Sequence, residues 1–351
     1  MRFRSRLPLY LSLVTLLLGL SACSRAPGVF QQQFLALGTL VDVSIYGVDR
    51  DKAQAAVDAV ARTMQSAEQE WHAWKPSRLT QINQALQAGK AITLTPEEAS
   101  VMQQAMAVSR RSDYLFDPAI GKLVALWGFH TDVRPDGPPP AMQSIQALLQ
   151  QHPSMADLNL QNNVLRSGNP AVQLDFGGFA KGVAIDQAIA ALRQLGIQNA
   201  IVNAGGDMRI IGSKGEQPWH IGIRHPRAPG VIASINMRGD ESIYTSGDYE
   251  RFFDYQGKRY HHILDPRTGM PAPDVTSVTV IHSNAAIAEA ADKALFIAGP
   301  AGFVGMAAQL GITEAMLIDS KGAVYLTPAM AKRIHFEVTP DPETIVVQPQ
   351  K

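Results

Sequence analysis

Three short segments place chemically active side chains beside glycine-rich turns. In Leu174-Asp175-Phe176-Gly177-Gly178-Phe179-Ala180-Lys181-Gly182, two glycines stand just before a predicted helix start. Free backbone N–H groups and the helix dipole favour an anion at such a point. Lys181 falls in the first turn of that helix, where a cation opposes the dipole unless it meets negative charge. A tight strand-to-helix turn with a solvated lysine fits the same residues, and both readings stand at this level. The second segment is Ser246-Gly247-Asp248-Tyr249 followed by Tyr260-His261-His262-Ile263-Leu264-Asp265-Pro266-Arg267-Thr268-Gly269. Asp-Pro-Arg-Thr-Gly is β-turn chemistry, and the two histidines ahead of it offer a proton acceptor and a ligand. The third, Val202-Asn203-Ala204-Gly205-Gly206-Asp207, reads as a structural turn needing close backbone approach. The chain contains no G-x-x-x-x-G-K-[ST] phosphate loop, no G-x-G-x-x-G after a strand, no G-x-S-x-G elbow and no zinc-spaced His/Cys cluster.

The elements that must position these turns are mixed. Residues 34–46 alternate in polarity and predict one strand ending at Gly47. Lys52 to Trp71 predicts a helix with Val57, Val60, Ala61 and Met64 on one side. Thr95-Pro96-Glu97-Glu98 is a capping box with proline at the first helical position, and that helix should run to about Arg111. Thr131 to Pro140 reads as a proline-rich insertion. Ala180 to Leu195 is helical up to Gly196, a strand starts at Ala200, and short strands and turns then alternate until a helix near Ala286–Ala298. The β-α-β spacing is irregular, and no repeat is visible.

The N-terminus carries its own signal. Arg2, Arg4 and Arg6 precede an apolar run from Leu7 to Leu20. That run is shorter than the roughly 20 residues a spanning helix needs, so it reads as a secretory leader over 1–22. The junction Leu20-Ser21-Ala22-Cys23 resembles the bacterial lipobox, which makes Cys23, the chain's single cysteine, the lipidation site. Residues 23–33 would be a tether, and no later stretch reads as membrane-spanning. The whole chain has 31 basic and 31 acidic side chains, and the leader takes three of the basic ones. The mature chain is thus slightly acidic, which argues against nucleic acid as a partner.

Taken in order, these segments closely resemble the ApbE family of FAD:protein FMN transferases. The resemblance runs from about Leu37-Gly38-Thr39 to Gly299. It includes Trp74-x-x-Ser77-x-Leu79-x-x-Ile82-Asn83 and Phe116-Asp117-Pro118-Ala119-Ile120-Gly121. It implies an α/β fold of the mixed α+β kind over 34–340, with two intertwined subdomains around a flavin cleft. It further implies transfer of the FMN half of FAD to a threonine hydroxyl of an acceptor flavoprotein, with release of AMP and use of Mg²⁺. By matching positions, Leu37, Trp74, Leu115, Phe116 and Asp117 are expected to line the flavin and adenine pockets. Asp175 and Lys181 would hold the dinucleotide, and Gly178 would reach the metal through its backbone. His262 would take the threonine proton or orient the phosphate. The acceptor is expected to be an exported or membrane electron-transfer protein, facing the periplasm with the lipid-anchored enzyme.

One stretch departs from the family pattern Ala-Asp-Ala-x-x-Thr-Ala-Leu-Phe-x-x-Gly. This chain has Ala288-Glu289-Ala290-Ala291-Asp292-Lys293-Ala294-Leu295-Phe296. Glu289 and Asp292 keep oxygen ligands for a metal, and Asp292 also stands as a catalytic carboxylate. Lys293 replaces the threonine and has no lone pair to offer a cation. Either Glu289 and Lys293 form a simple i,i+4 pair beside the metal, or the ammonium takes the cation's place. The second case keeps open a flavin carrier without transfer activity. An FAD pyrophosphatase, with water replacing the threonine, would use the same residues.

Overall fold

The computed structural model describes residues 28–131, 133, 135–338 and 344–346. The leader, the lipobox and Cys23 lie outside the described residues.

Among the described residues, a nine-stranded sheet runs in chain order. Its strands are β1 (Val29–Ala36), β2 (Thr39–Tyr46), β3 (Ala200–Ala204), β4 (Asp207–Gly212), β5 (Gly239–Gly247), β6 (Val275–His282), β7 (Glu314–Asp319), β8 (Val324–Leu326) and β9 (Thr344–Val346). All neighbours pair antiparallel except β8 with β9. Antiparallel neighbours need no crossover helix of fixed length between them, which explains the irregular β-α-β spacing.

Five longer helices complete the frame: α1 (Arg50–Trp71), α2 (Arg78–Gln87), α3 (Pro96–Arg111), α4 (Ala180–Gln194) and α5 (Ala285–Leu310). Asp49 caps α1 by accepting from Lys52 N at 2.9 Å. Ala53, Val57, Val60, Met64 and Trp71 then repeat at helical spacing and are buried. The predicted Thr95/Glu98 capping box starts α3. One face of the sheet, through Val41, Val43 and Ile45, meets these helices in the main core. Burying each such side chain contributes about 1.5–3 kcal/mol. The opposite face packs a smaller core against strands Trp219–Arg224 and Val231–Met237. A third, satellite core joins helices Gly121–Leu126 and Met142–Leu149 to the hairpin of Phe252–Tyr255 and Lys258–His261. These segments lie far apart in sequence, which is the intertwining the sequence led us to expect.

Two expectations need correction. Residues 34–46 are not one strand, because Leu37 and Gly38 adopt positive φ (53° and 68°) and turn the chain into the β1–β2 hairpin. The expected tether over 23–33 accordingly overlaps β1, which begins at Val29 with alternating exposed positions. The helix expected near Ala286–Ala298 is the first half of α5, which breaks at Gly299 (φ 67°) and Pro300 and resumes to Leu310. With 26 residues and an 18-residue stretch of mean hydropathy 1.3, α5 is long and apolar enough by those measures to cross a membrane. It is a core helix here, packed along β5, β6 and β7, with Glu289 and Asp292 fully buried in its first half.

Candidate active site

The site lies between the main core and the satellite core, in a cleft of about 530 Å³. It is framed by bonds between segments distant in sequence. Asn83 on α2 donates to Leu174 O at 2.9 Å and accepts from Leu174 N at 2.7 Å. Asp175 N donates to Pro118 O at 2.8 Å. These bonds fix the Gly177-Gly178 turn against the Phe116–Ile120 segment. Gly182 lets α4 touch α5 closely, since a Cβ there would lie 2.6 Å from Ala285 O. The contact lets Gly182 N donate to Glu289 Oε2 at 2.6 Å.

Every residue expected in the site lines this cleft except Asp292. Leu37, Trp74, Leu115 and Phe116 form its apolar end together with Trp71 and Phe129. Trp74 Nε1 donates to Asp175 Oδ2 at 3.0 Å, and Gly177 N donates to Asp175 Oδ1 at 2.8 Å. Asp175 therefore orients the indole and the turn. Asp117 is held by Ser154 Oγ (2.6 Å) and by the Ala119 and Met155 N–H groups (3.0 Å each). Burial pushes its carboxyl up to about 6 despite these bonds. Its side chain is thus committed to the wall.

The other end is charged. Lys181 forms an ion pair with Asp207, whose second oxygen accepts from Thr245 N at 2.9 Å. Burial works against the Lys181 ammonium, but the Asp207, Glu289 and Asp292 carboxylates hold its pKa above the ordinary value. Lys293 Nζ lies 3.1 Å from Asp292 Oδ1 and 3.9 Å from Glu289 Oε1. Among the described residues, Glu289 Oε1 and both Asp292 oxygens have no hydrogen-bond partner beyond these charge contacts. Burial raises the Glu289 carboxyl, and it pushes Asp292 up to about 7 against the pull of Lys293.

His262 stands in the wall between the two ends. Its ring Nδ1 lies 3.2 Å from Arg251 O. A carbonyl only accepts, so Nδ1 carries the proton and Nε2 keeps its lone pair. Burial, with His261, Arg251 and Lys293 nearby disfavouring a further positive charge, lowers its pKa to about 3, so the ring is neutral at ordinary pH. His261 is not a ligand. Its Nε2 is 3.0 Å from Ala272 O, its Nδ1 accepts from Ile263 N at 3.3 Å, and its ring packs on Phe296. The Asp265–Gly269 turn anchors the satellite core through Trp127 Nε1, which donates to Gly269 O at 2.8 Å.

Sequence reasoning missed three cleft residues. Asp207 was assigned to a structural turn, although it directly follows Gly205-Gly206 at the mouth of β4. Arg251 has no motif. It donates to Phe129 O (2.7 Å) and Thr131 O (2.8 Å), holding the insertion beside His262. His130, just ahead of that insertion, meets Trp74 edge to face, with ring centroids 5.2 Å apart.

The expected metal ligands do not fit a divalent ion. Bound by Glu289 and Asp292 at the roughly 2.0–2.1 Å that Mg²⁺ demands, the ion would sit against the Lys293 ammonium. Among the described residues, no group of three or more His, Cys, Asp or Glu is placed to hold a metal. The Lys293 stem also covers Gly178, where a Cβ would lie 3.2 Å from Lys293 Cε.

Comparison with known proteins accounts for this architecture. A Rhodobacter capsulatus protein named FAD:protein FMN transferase is 40% identical over 88% of this chain, which spans 59% of that relative's length. A Haemophilus influenzae protein of the same name is 30% identical over 82% of this chain and 85% of its own. The crystal structure of an ApbE protein from Thermotoga maritima superposes with a TM-score of 0.79 at 31% identity, covering 89% of this chain and all of that one. The family profile described as the ApbE family matches residues 37–317. The chain belongs to the ApbE family.

Proposed function

We propose that this protein cleaves FAD and transfers its FMN half to a threonine hydroxyl of an acceptor flavoprotein, releasing AMP. The observation that carries this reading is the division of one cleft into an aromatic end and a doubly ammonium-bearing end, with a neutral histidine between them. The flat flavin and adenine rings suit Trp71, Trp74 and Phe116. The two phosphates suit Lys181 and Lys293. His262 Nε2 takes the threonine proton as the threonine oxygen attacks the phosphorus on the riboflavin side. The bond from that phosphorus to the AMP oxygen breaks, and AMP leaves with the electron pair. Phosphoryl transfer of this kind depends mostly on positioning and charge neutralisation. Magnesium, expected at Gly178, Glu289 and Asp292, would meet the Lys293 ammonium there, so charge neutralisation falls to the two lysines.

The leader and Cys23 support an exported, lipid-anchored enzyme, and with it an acceptor exposed in the same compartment. The test combines purified protein lacking residues 1–23, FAD and an acceptor domain bearing the target threonine. Covalent flavin fluorescence on a denaturing gel, with AMP release that requires the acceptor, is the expected result. Acceptor-independent AMP release would instead make the protein an FAD pyrophosphatase. Bound but intact FAD would make it a flavin carrier.

A further inference from the structure

We propose that the Lys293 ammonium is a built-in counter-cation for the dinucleotide phosphates, standing where a divalent metal would act, so that FAD binds without metal. The inference rests on the proposed FAD chemistry and deepens it.

The support is geometric. Lys293 projects from the first half of α5 across the Gly178 turn, and Gly178 leaves room for its stem. Asp292 and Glu289, both fully buried, stand 3.1 and 3.9 Å from the ammonium. Glu289 is fixed from its other oxygen by Gly182 N, in the first turn of α4. The Glu289 carboxylate beside the ammonium is therefore held between two helices. Its side chain keeps 17% exposure, on the cleft that Lys181 also lines.

The alternative is that Lys293 only neutralises two buried carboxylates. That role would leave ligand affinity indifferent to its replacement by a neutral residue, apart from folding. A counter-cation role would not. An ammonium offers three donors to phosphate oxygens, and its like charge repels a divalent ion a few ångströms away. The same lysine that supplies the charge thus also keeps the metal out.

The experiment is a titration of purified protein with FAD, and separately with riboflavin, followed by flavin fluorescence, in EDTA and in Mg²⁺. For wild type, the FAD dissociation constant should agree within twofold between the two conditions. Lys293→Thr in EDTA should weaken FAD at least tenfold, Mg²⁺ should restore much of the loss, and riboflavin should be unaffected. Lys293→Arg keeps the charge and should stay metal-independent, which guards against misreading a poorly folded threonine variant. Wild-type FAD binding that falls tenfold in EDTA and returns with Mg²⁺ would overturn the inference and leave the transferase intact. So would a Lys293→Thr protein that binds FAD like wild type in EDTA. Wild type binding FAD under neither condition would overturn the proposed function and this inference together.

Discussion

Two charged clusters flank the contact between α4 and α5, and they are built differently. In the first, Asp186 accepts from Ala285 N (3.0 Å) and Ala286 N (3.2 Å) and pairs with Arg209. Arg209 and Arg193 then share Asp240 at 2.9 and 2.6 Å. Every carboxylate oxygen in that cluster has a donor. In the second, five residues back along α4, Lys181, Asp207, Glu289, Asp292 and Lys293 meet at the cleft. There, three buried carboxylate oxygens have no aligned donor. Leaving a buried acceptor unpaired costs about 1–3 kcal/mol. A fold that satisfies one cluster and leaves the other partly unsatisfied, on the same pair of helices, separates structure from function. The first cluster locks α5 to the sheet, and the second holds charge in place for a ligand.

The largest expected effect separates the two at His262. His262→Ala should lower FMN transfer by about 10²- to 10⁴-fold, the usual worth of a positioned base. FAD affinity and melting temperature should change little. Because His262 is pushed down to about 3, the wild-type rate should show no acid limb from this group between pH 5 and 7. A limb near pH 6.5 that disappears in His262→Ala would contradict the neutral-base assignment. Next comes the structural cluster. Asp186→Ala leaves Arg209 with Asp240 alone and removes the acceptors of the α5 N-terminal N–H groups, and should cost about 3 kcal/mol in denaturant unfolding, as expected for a broken buried pair. A loss below about 1 kcal/mol would erase the distinction between the clusters.

The third effect concerns pH and stability. Asp292 has an ordinary pKa of 3.8 and is raised to about 7 in the folded chain. Between those values the native state binds the extra proton, so this group's contribution to stability falls as pH rises from about 4 to 7. Asp292→Asn should flatten that decline. An unchanged slope would mean that Asp292 keeps an ordinary pKa. Smallest is Arg193→Ala, whose partly exposed pair with Asp240 is worth at most about 1 kcal/mol. Its transfer rate should match wild type.

Legibility in the sequence followed the range of the interactions. The α3 capping box was readable because Thr95 and Glu98 satisfy each other within one turn. The α1 face was readable because Val57, Val60 and Met64 repeat at helical spacing. The β1–β2 hairpin was not, because Leu37 is a leucine at positive φ, a position that carries no turn signature of its own. Lys181 was visible as an oddity, but its partner Asp207 comes from a β-turn that local chemistry explains without any site. Arg251 was invisible, since its work is done through backbone carbonyls more than 100 residues away. Lys293 showed only as a departure from a family pattern. Its meaning came from the two carboxylates and the glycine that the fold brings around it.

The most direct measurement of the central claim is the intact mass of an acceptor domain after incubation with this protein and FAD. The account predicts a mass gain of one FMN, joined as a phosphoester to the acceptor threonine and matched by AMP. Replacing that threonine by alanine should abolish it. FAD consumed to free FMN and AMP, with the acceptor mass unchanged, would contradict transfer.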